Sequence, residues 1–255
     1  MTELFQQEFL RNALYAGLLA SLLCGVIGTL VVVNGVVFLA GGLAHGAYGG
    51  IGLAYYLGYP PLAGAALFSV ALSTVVAGVT LRDSRRADAV VGVLWAVGMA
   101  FGILLLDLTP GYHPDLMSYL FGSLVAVPSE DLALMTAAAA FVLLSVALFY
   151  RPLEALSYDR DYARTRGLPV TALYVLLLAL VALSVVLVIA LLSIPPYIAE
   201  KFSRSLLGMM VRATVLSLFF TFVGLLLAFR FNVTSGAAVI AVAGTGFFLS
   251  LLFRR

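Results

Sequence analysis

The stretch A-L-Y-V-L-L-L-A-L-V-A-L-S-V-V-L-V-I-A-L-L, residues 172–192, decides the class of fold. It is apolar on every side and shows no two-residue alternation. Inside lipid only helices and closed barrels satisfy their own backbone. Barrel strands alternate apolar and polar residues over about ten positions, which this stretch does not. It is long enough for a helix to cross a bilayer core, which takes about 20 residues over about 30 Å. Working outward, the same pattern recurs. No Asp, Glu, Lys or Arg lies between Arg11 and Arg82, and further charge-free runs cover 89–106, 132–150, 170–199, 213–229 and 231–253. These runs predict crossings near 12–33, 36–57, 61–80, 89–107, 132–150, 170–193, 212–229 and 235–253. Hydrophobic residues make up 63% of the chain and charged residues 10%. A soluble domain is about half apolar and about a quarter charged, so that class is excluded. The expectation is an all-α polytopic membrane protein, one transmembrane domain over 1–255 with about eight helices.

Basic residues set the orientation. Arg82, Arg85 and Arg86 form one cluster; Arg151, Arg160, Arg164 and Arg166 a second; Lys201, Arg204 and Arg212 a third; Arg254 and Arg255 a fourth. Asp107, Asp115, Glu130 and Asp131 lie between them. The basic clusters are assigned to the cytoplasm and the acidic loops to the outside. The run 170–193 then leaves the cytoplasm, yet Lys201 must be back inside. The link I-P-P-Y-I-A-E-K-F-S-R-S-L, 194–206, is too short and polar for an ordinary span, and Pro195 and Pro196 interrupt a helix. It reads as a broken or re-entrant helix, which lipid tolerates only where protein or a cavity surrounds it. The N-terminus is placed outside and the C-terminus inside, and 116–127 is read as a short external helix. The first residues carry acids rather than a basic region, so no cleavable leader is expected.

Three segments could carry function. In L-S-Y-D-R-D-Y-A-R-T-R-G-L-P, 156–169, Asp159 is placed to cap a short helix that Gly167 ends, with Pro169 beyond. Tyr158, Tyr162 and Ala163 would lie near Leu168 with the arginines, Arg164 among them, exposed. The segment is either a solvated loop or a helix that docks in a cytoplasmic partner's groove. In G-G-L-A-H-G-A-Y-G-G-I-G, 41–52, Gly42, Gly46 and Gly50 fall on one helix face, where small residues let backbones approach. His45 stands among them. It is either hydrogen-bonded to a neighbouring helix or faces a transport path, where its imidazole could ligate a passing metal. A two-fold dimer would present two copies of it. In the outer loop 107–116, Asp107, His113 and Asp115 have ligand chemistry but no metal-motif spacing. Cys24, the lone cysteine, sits in an apolar run and reads as a core residue. No G-x-x-x-x-G-K-[ST] loop, H-E-x-x-H, nucleophile elbow or C-x-x-C occurs. The chain is expected to bind no nucleotide, cofactor or nucleic acid and to do no covalent chemistry.

Several segments in order resemble the permease subunits of the zinc/manganese/iron class of ABC importers. They are F-L-A-G-G-L-A-H-G (38–46), A-D-A-V-V-G-V-L-W (87–95), S-Y-L-F-G-S-L-V-A-V-P-S-E-D-L (118–132), D-R-D-Y-A-R-T-R-G-L-P (159–169), L-L-S-I-P-P-Y-I-A-E (191–200) and V-T-S-G-A (233–237). The resemblance spans about residues 13–252. It implies a fold related to the cobalamin-type (type II) importers, a homodimeric permease in the plasma membrane, cytoplasmic ABC ATPases that hydrolyse ATP, and an external binding protein of the cluster A-I type. It also implies that 151–169 holds the coupling helix, with Asp159, Tyr162, Ala163, Arg164 and Gly167 at the ATPase interface. The transported cargo would be a divalent metal passing His45 and the break at Pro195 and Pro196.

Two departures bear on the cargo. Where the family pattern has Asp, four residues before the histidine, this chain has Gly41. Without that carboxylate a hard ion such as manganese loses an oxygen ligand, while imidazole still suits zinc. Glu200 could supply a carboxylate from elsewhere. A non-metal or chelated-metal cargo is one alternative within this class. An ion-coupled secondary transporter and a membrane anchor without transport are others, although spans free of Asp and Glu disfavour ion coupling.

Overall fold

A computed structural model describes residues 8–83, 86–110, 129–188 and 191–252. The expected external helix at 116–127 lies outside these residues, as do His113 and Asp115. The described chain is helical: α1 Glu8–Val33, α2 Val37–Gly46, α3 Tyr48–Leu57, α4 Pro61–Arg82, α5 Ala87–Asp107, α6 Ser129–Leu148, α7 Tyr150–Tyr158, α8 Arg160–Thr165, α9 Val170–Val188, α10 Ile194–Glu200, α11 Leu206–Phe231 and α12 Ser235–Leu252. Among the described residues seven helical stretches are long and apolar enough to cross a membrane, with α2 and α3 counted as one stretch, Val37–Leu57. The apolar helix at 170 is a shorter eighth.

Two expected spans differ in detail. The span at 36–57 is two helices joined at Ala47, which keeps helical dihedrals (φ −58°, ψ −19°). Its amide donates to the Leu43 carbonyl at 3.0 Å, and the Gly50 amide donates to the Ala47 carbonyl at 2.9 Å. The rod therefore tightens by one step at Ala47. In the run at 170–193 the described helix is Val170–Val188, and a turn at 191–193 leads into α10.

The chain forms two compact units. The first comprises Met1–Val32, Asp115–Leu143 and Val188–Arg255. Lipid tails are as apolar as leucine, so helices here associate through close packing and polar contacts. α1 meets α11 in that way. Ser21 Oγ and Thr221 Oγ1 are 3.1 Å apart and buried, and Gly25 lies against the backbone of Thr214. α11 begins at Ser205, whose hydroxyl accepts from the Gly208 amide at 3.2 Å. It packs on α12 with Gly224 against Val239.

The second unit comprises Val33–Pro114 and Leu144–Leu187. It includes α9, where Leu177, Leu178, Val181 and Ala182 are fully enclosed. Ser69 of α4 donates to the Ala182 carbonyl at 3.3 Å. α3 and α4 touch through Gly50 and Gly64; a Cβ on Gly50 would stand 2.5 Å from Phe68 Cβ. α7 is amphipathic and buries Leu153 and Leu156, each 1% exposed.

Candidate functional site

The segment 159–169 folds from its own residues. Asp159 takes an extended conformation and its Oδ1 accepts from the amides of Asp161 and Tyr162, both at 2.9 Å. Two amides that a helix start leaves unpaired are thereby satisfied. The far end closes as a Schellman turn. Gly167 has φ +75°, its amide donates to the Arg164 carbonyl at 2.9 Å, and the Leu168 amide donates to the Ala163 carbonyl at 3.1 Å. Pro169 leads directly into α9, its carbonyl accepting from the Leu173 amide at 2.9 Å. The helix therefore has both expected caps.

Its faces differ from expectation in one respect. Ala163 is fully buried, but Tyr158 and Tyr162 are 62% and 47% exposed. Arg166 is the reason at Tyr162: its Nε donates to the phenol oxygen at 2.9 Å and its guanidinium lies 5.3 Å from the ring centre. Arg164 pairs with Asp161 at 3.5 Å, and Arg160 covers the Tyr174 ring at 4.6 Å. The exposed surface is thus tyrosine and arginine on a rigid, doubly capped turn, a composition favoured at interface centres.

His45 lies in the last turn of α2, half-buried. Its ring stacks on Trp95 of α5, with centroids 4.1 Å apart and planes within 5°. Nδ1 is enclosed with no hydrogen-bond partner among the described residues. Trp95 Nε1 donates to Met99 Sδ at 3.0 Å. Gly41, one turn before His45, has nothing within 4 Å of where a Cβ would sit. The glycines around His45 bring α2 and α3 onto their neighbours, but against different partners. Gly42 lies on Val91 and Gly46 on Leu72, while Gly50 meets Gly64. Sequence reasoning missed the other half of this contact. A Cβ on Gly98 would stand 2.7 Å from the Gly46 carbonyl oxygen, and Gly102 lies against the Tyr48 carbonyl. The signal was present as a second small-x-x-x-small pair, Gly98 and Gly102.

The break at 191–200 belongs to the other unit. Pro195 and Pro196, both buried, fall in the first turn of α10, where a missing amide proton costs nothing. They open a short helix rather than merely ending a long one. α1 receives the break. The Cys24 thiol donates to the Leu191 carbonyl, in the turn that leads into α10. Gly28 leaves room for Pro196, whose Cγ would be 2.7 Å from a Cβ there. Glu200 is exposed at the end of α10 and pairs with no cation among the described residues. Lys201 instead donates to the Ser250 carbonyl at 2.9 Å. His45 and the 159–167 helix share one unit, whereas Pro195, Pro196 and Glu200 lie in the other. No group of three or more His, Cys, Asp or Glu able to hold a metal occurs among the described residues.

Comparison with known proteins agrees along the whole length. The model of the ABC 3 transport family matches residues 6–254. An uncharacterized membrane protein of Synechocystis sp. is 46% identical over 264 residues, covering 100% of this chain and 94% of that protein. The manganese transport system membrane protein MntC of Halalkalibacterium halodurans is 30% identical, covering 98% of this chain and 89% of that protein. Among solved structures, PsaBC from Streptococcus pneumoniae in complex with Fab superposes with a TM-score of 0.85 at 25% identity, covering 98% of this chain and 94% of the other.

Proposed function

The chain belongs to the ABC 3 transport family, and from that premise we propose that it is the permease of an ATP-driven importer whose cargo is a divalent metal ion. It is a multi-pass membrane protein and a transporter component. In this reading ATP is hydrolysed by separate cytoplasmic ABC subunits, cargo arrives on an external binding protein, and two copies of the chain form the pathway. The relatives named for metal transport support the cargo class.

The observation that carries the reading is the 159–167 helix. Its two caps make it a rigid body, and its exposed tyrosines and arginines suit it to a protein groove. The chain has no phosphate-binding loop of its own. Closure of two ATPases around nucleotide would push on that helix and turn the pathway between its outward and inward states. His45 would touch cargo transiently; one imidazole holds an ion weakly enough to release it. The experiment is uptake of radioactive zinc and manganese into proteoliposomes holding the permease, its ATPase and its binding protein. Import that needs ATP and the binding protein is expected. Import that continues without ATP and follows an ion gradient would overturn the reading.

Gly41 favours a second reading of the cargo, a chelated metal or a non-metal, because it removes the carboxylate that would pair with His45. Elemental analysis of the purified binding protein separates the two: bound zinc, manganese or iron supports the bare ion, and no metal with no affinity for one supports the second.

A further inference from the structure

The turn between α1 and α2 is tied to the arm that carries the 159–167 helix. Asn34 Nδ2 donates to Ser157 Oγ at 2.8 Å, across 123 residues of sequence. Ser157 in turn donates to the Leu153 carbonyl at 2.7 Å, so its hydroxyl is fixed to the backbone of α7 and offers Asn34 an oriented acceptor. Each end of this link leads to a functional element within the same unit. From Asn34 the chain turns at Gly35 and enters α2, whose last turn holds His45. The Ala40 amide already donates to the Val36 carbonyl at 2.9 Å, so the helix is regular from its first turn. From Ser157 it is two residues to Asp159, the cap of α8. Leu153 and Leu156, almost fully enclosed, hold α7 in place between them.

We propose that Asn34 is a positioning residue that couples the ATPase-docking helix to the helix bearing His45. An apolar contact can slide, whereas a hydrogen bond fixes distance and direction. A push on α8 passes to the end of α7, through Ser157 to Asn34, and so to the start of α2. This rests on the ATP-driven reading above.

The test uses the complete complex of permease, ATPase and binding protein in proteoliposomes, and reads ATP hydrolysed per ion imported. Asn34→Leu removes the donor at nearly constant volume, and Ser157→Ala removes the acceptor. Each should raise the ratio about two- to tenfold, the range of one net hydrogen bond. Complex yield and the basal ATPase rate should stay at wild-type levels. The double variant should be no worse than the worse single, because both remove one contact. Exchanging the partners, Asn34→Ser with Ser157→Asn, should bring the ratio back toward wild type. A purely structural role would lower complex yield and leave the ratio alone. Wild-type ratios in both singles, or effects that add in the double, would overturn the proposal. If Asn34→Leu fails to assemble, Ser157→Ala decides alone. A wild-type complex that imports nothing on ATP would instead refute the functional reading itself.

Discussion

A stack of imidazole on indole fixes the plane of the histidine ring without using either ring nitrogen. That is the position of His45 over Trp95, at 4.1 Å and nearly parallel. Aromatic pairs contribute about 0.5–1.5 kcal/mol beyond the area they bury. Trp95→Ala should therefore loosen His45 and raise the KM for uptake about two- to tenfold, while Trp95→Phe, which keeps a flat face, should lie closer to wild type. His45→Ala should lower uptake with the complex still assembled; unchanged uptake would reduce His45 to packing. Gly98 makes a different demand. With the Gly46 carbonyl oxygen 2.7 Å from where its Cβ would sit, Gly98→Leu must separate α2 from α5. The cost is at least the about 1–3 kcal/mol of an overpacked core, visible as a lower thermal midpoint in detergent.

Single elements show why some features were legible and others were not. A helix end is local chemistry, so Asp159 and Gly167 could be read as caps from their order alone, and the structure has both. The prolines at 195 and 196 marked the break for the same reason, although not that they would begin a helix. Trp95 beneath His45 and Ser157 beside Asn34 lie 50 and 123 residues away in sequence, and no periodicity points to them. The exposure of Tyr162 depended on Arg166 four residues on, a contact that apolar patterning does not weigh. The element predicts its own tests. Asp159→Ala removes the acceptor of two amides and should cost the helix about 1 kcal/mol. Gly167→Ala forces a Cβ into a left-handed conformation at about 1–2 kcal/mol. Combining Tyr162→Ala with Arg164→Ala, both exposed, should separate ATP hydrolysis from uptake or release the ATPase from membranes. Normal coupling in that double variant would mean the ATPase seats elsewhere.

For the whole molecule, the sidedness of the chain depends on what the stretch 191–205 does. If it returns to the face from which α9 departs, the tip between α11 and α12 is outside. If it does not, the tip is on the cytoplasmic face with α8. The structure constrains the second half: Lys201 donates to the Ser250 carbonyl in the last turn of α12, so both ends of the α11–α12 hairpin meet at one face. Arg212 is drawn to that face as well, donating to the Phe202 carbonyl and to Ser203 Oγ. Basic residues concentrate on the cytoplasmic side, so the expectation is that Lys201, Arg204 and Arg212 face the cytoplasm. The chain offers a clean way to measure it, because its lone cysteine, Cys24, is fully buried. Single cysteines at the exposed positions Tyr59, Thr165 and Val233 should then report side alone. In intact cells a membrane-impermeant maleimide should label Tyr59→Cys and Val233→Cys and leave Thr165→Cys unlabelled until the membrane is opened. Labelling of Thr165→Cys from outside would remove the docking surface from the ATPase. Protection of Val233→Cys with Tyr59→Cys still labelled would show that the break stays on the far face rather than returning, and only the second half of the orientation would have to be inverted.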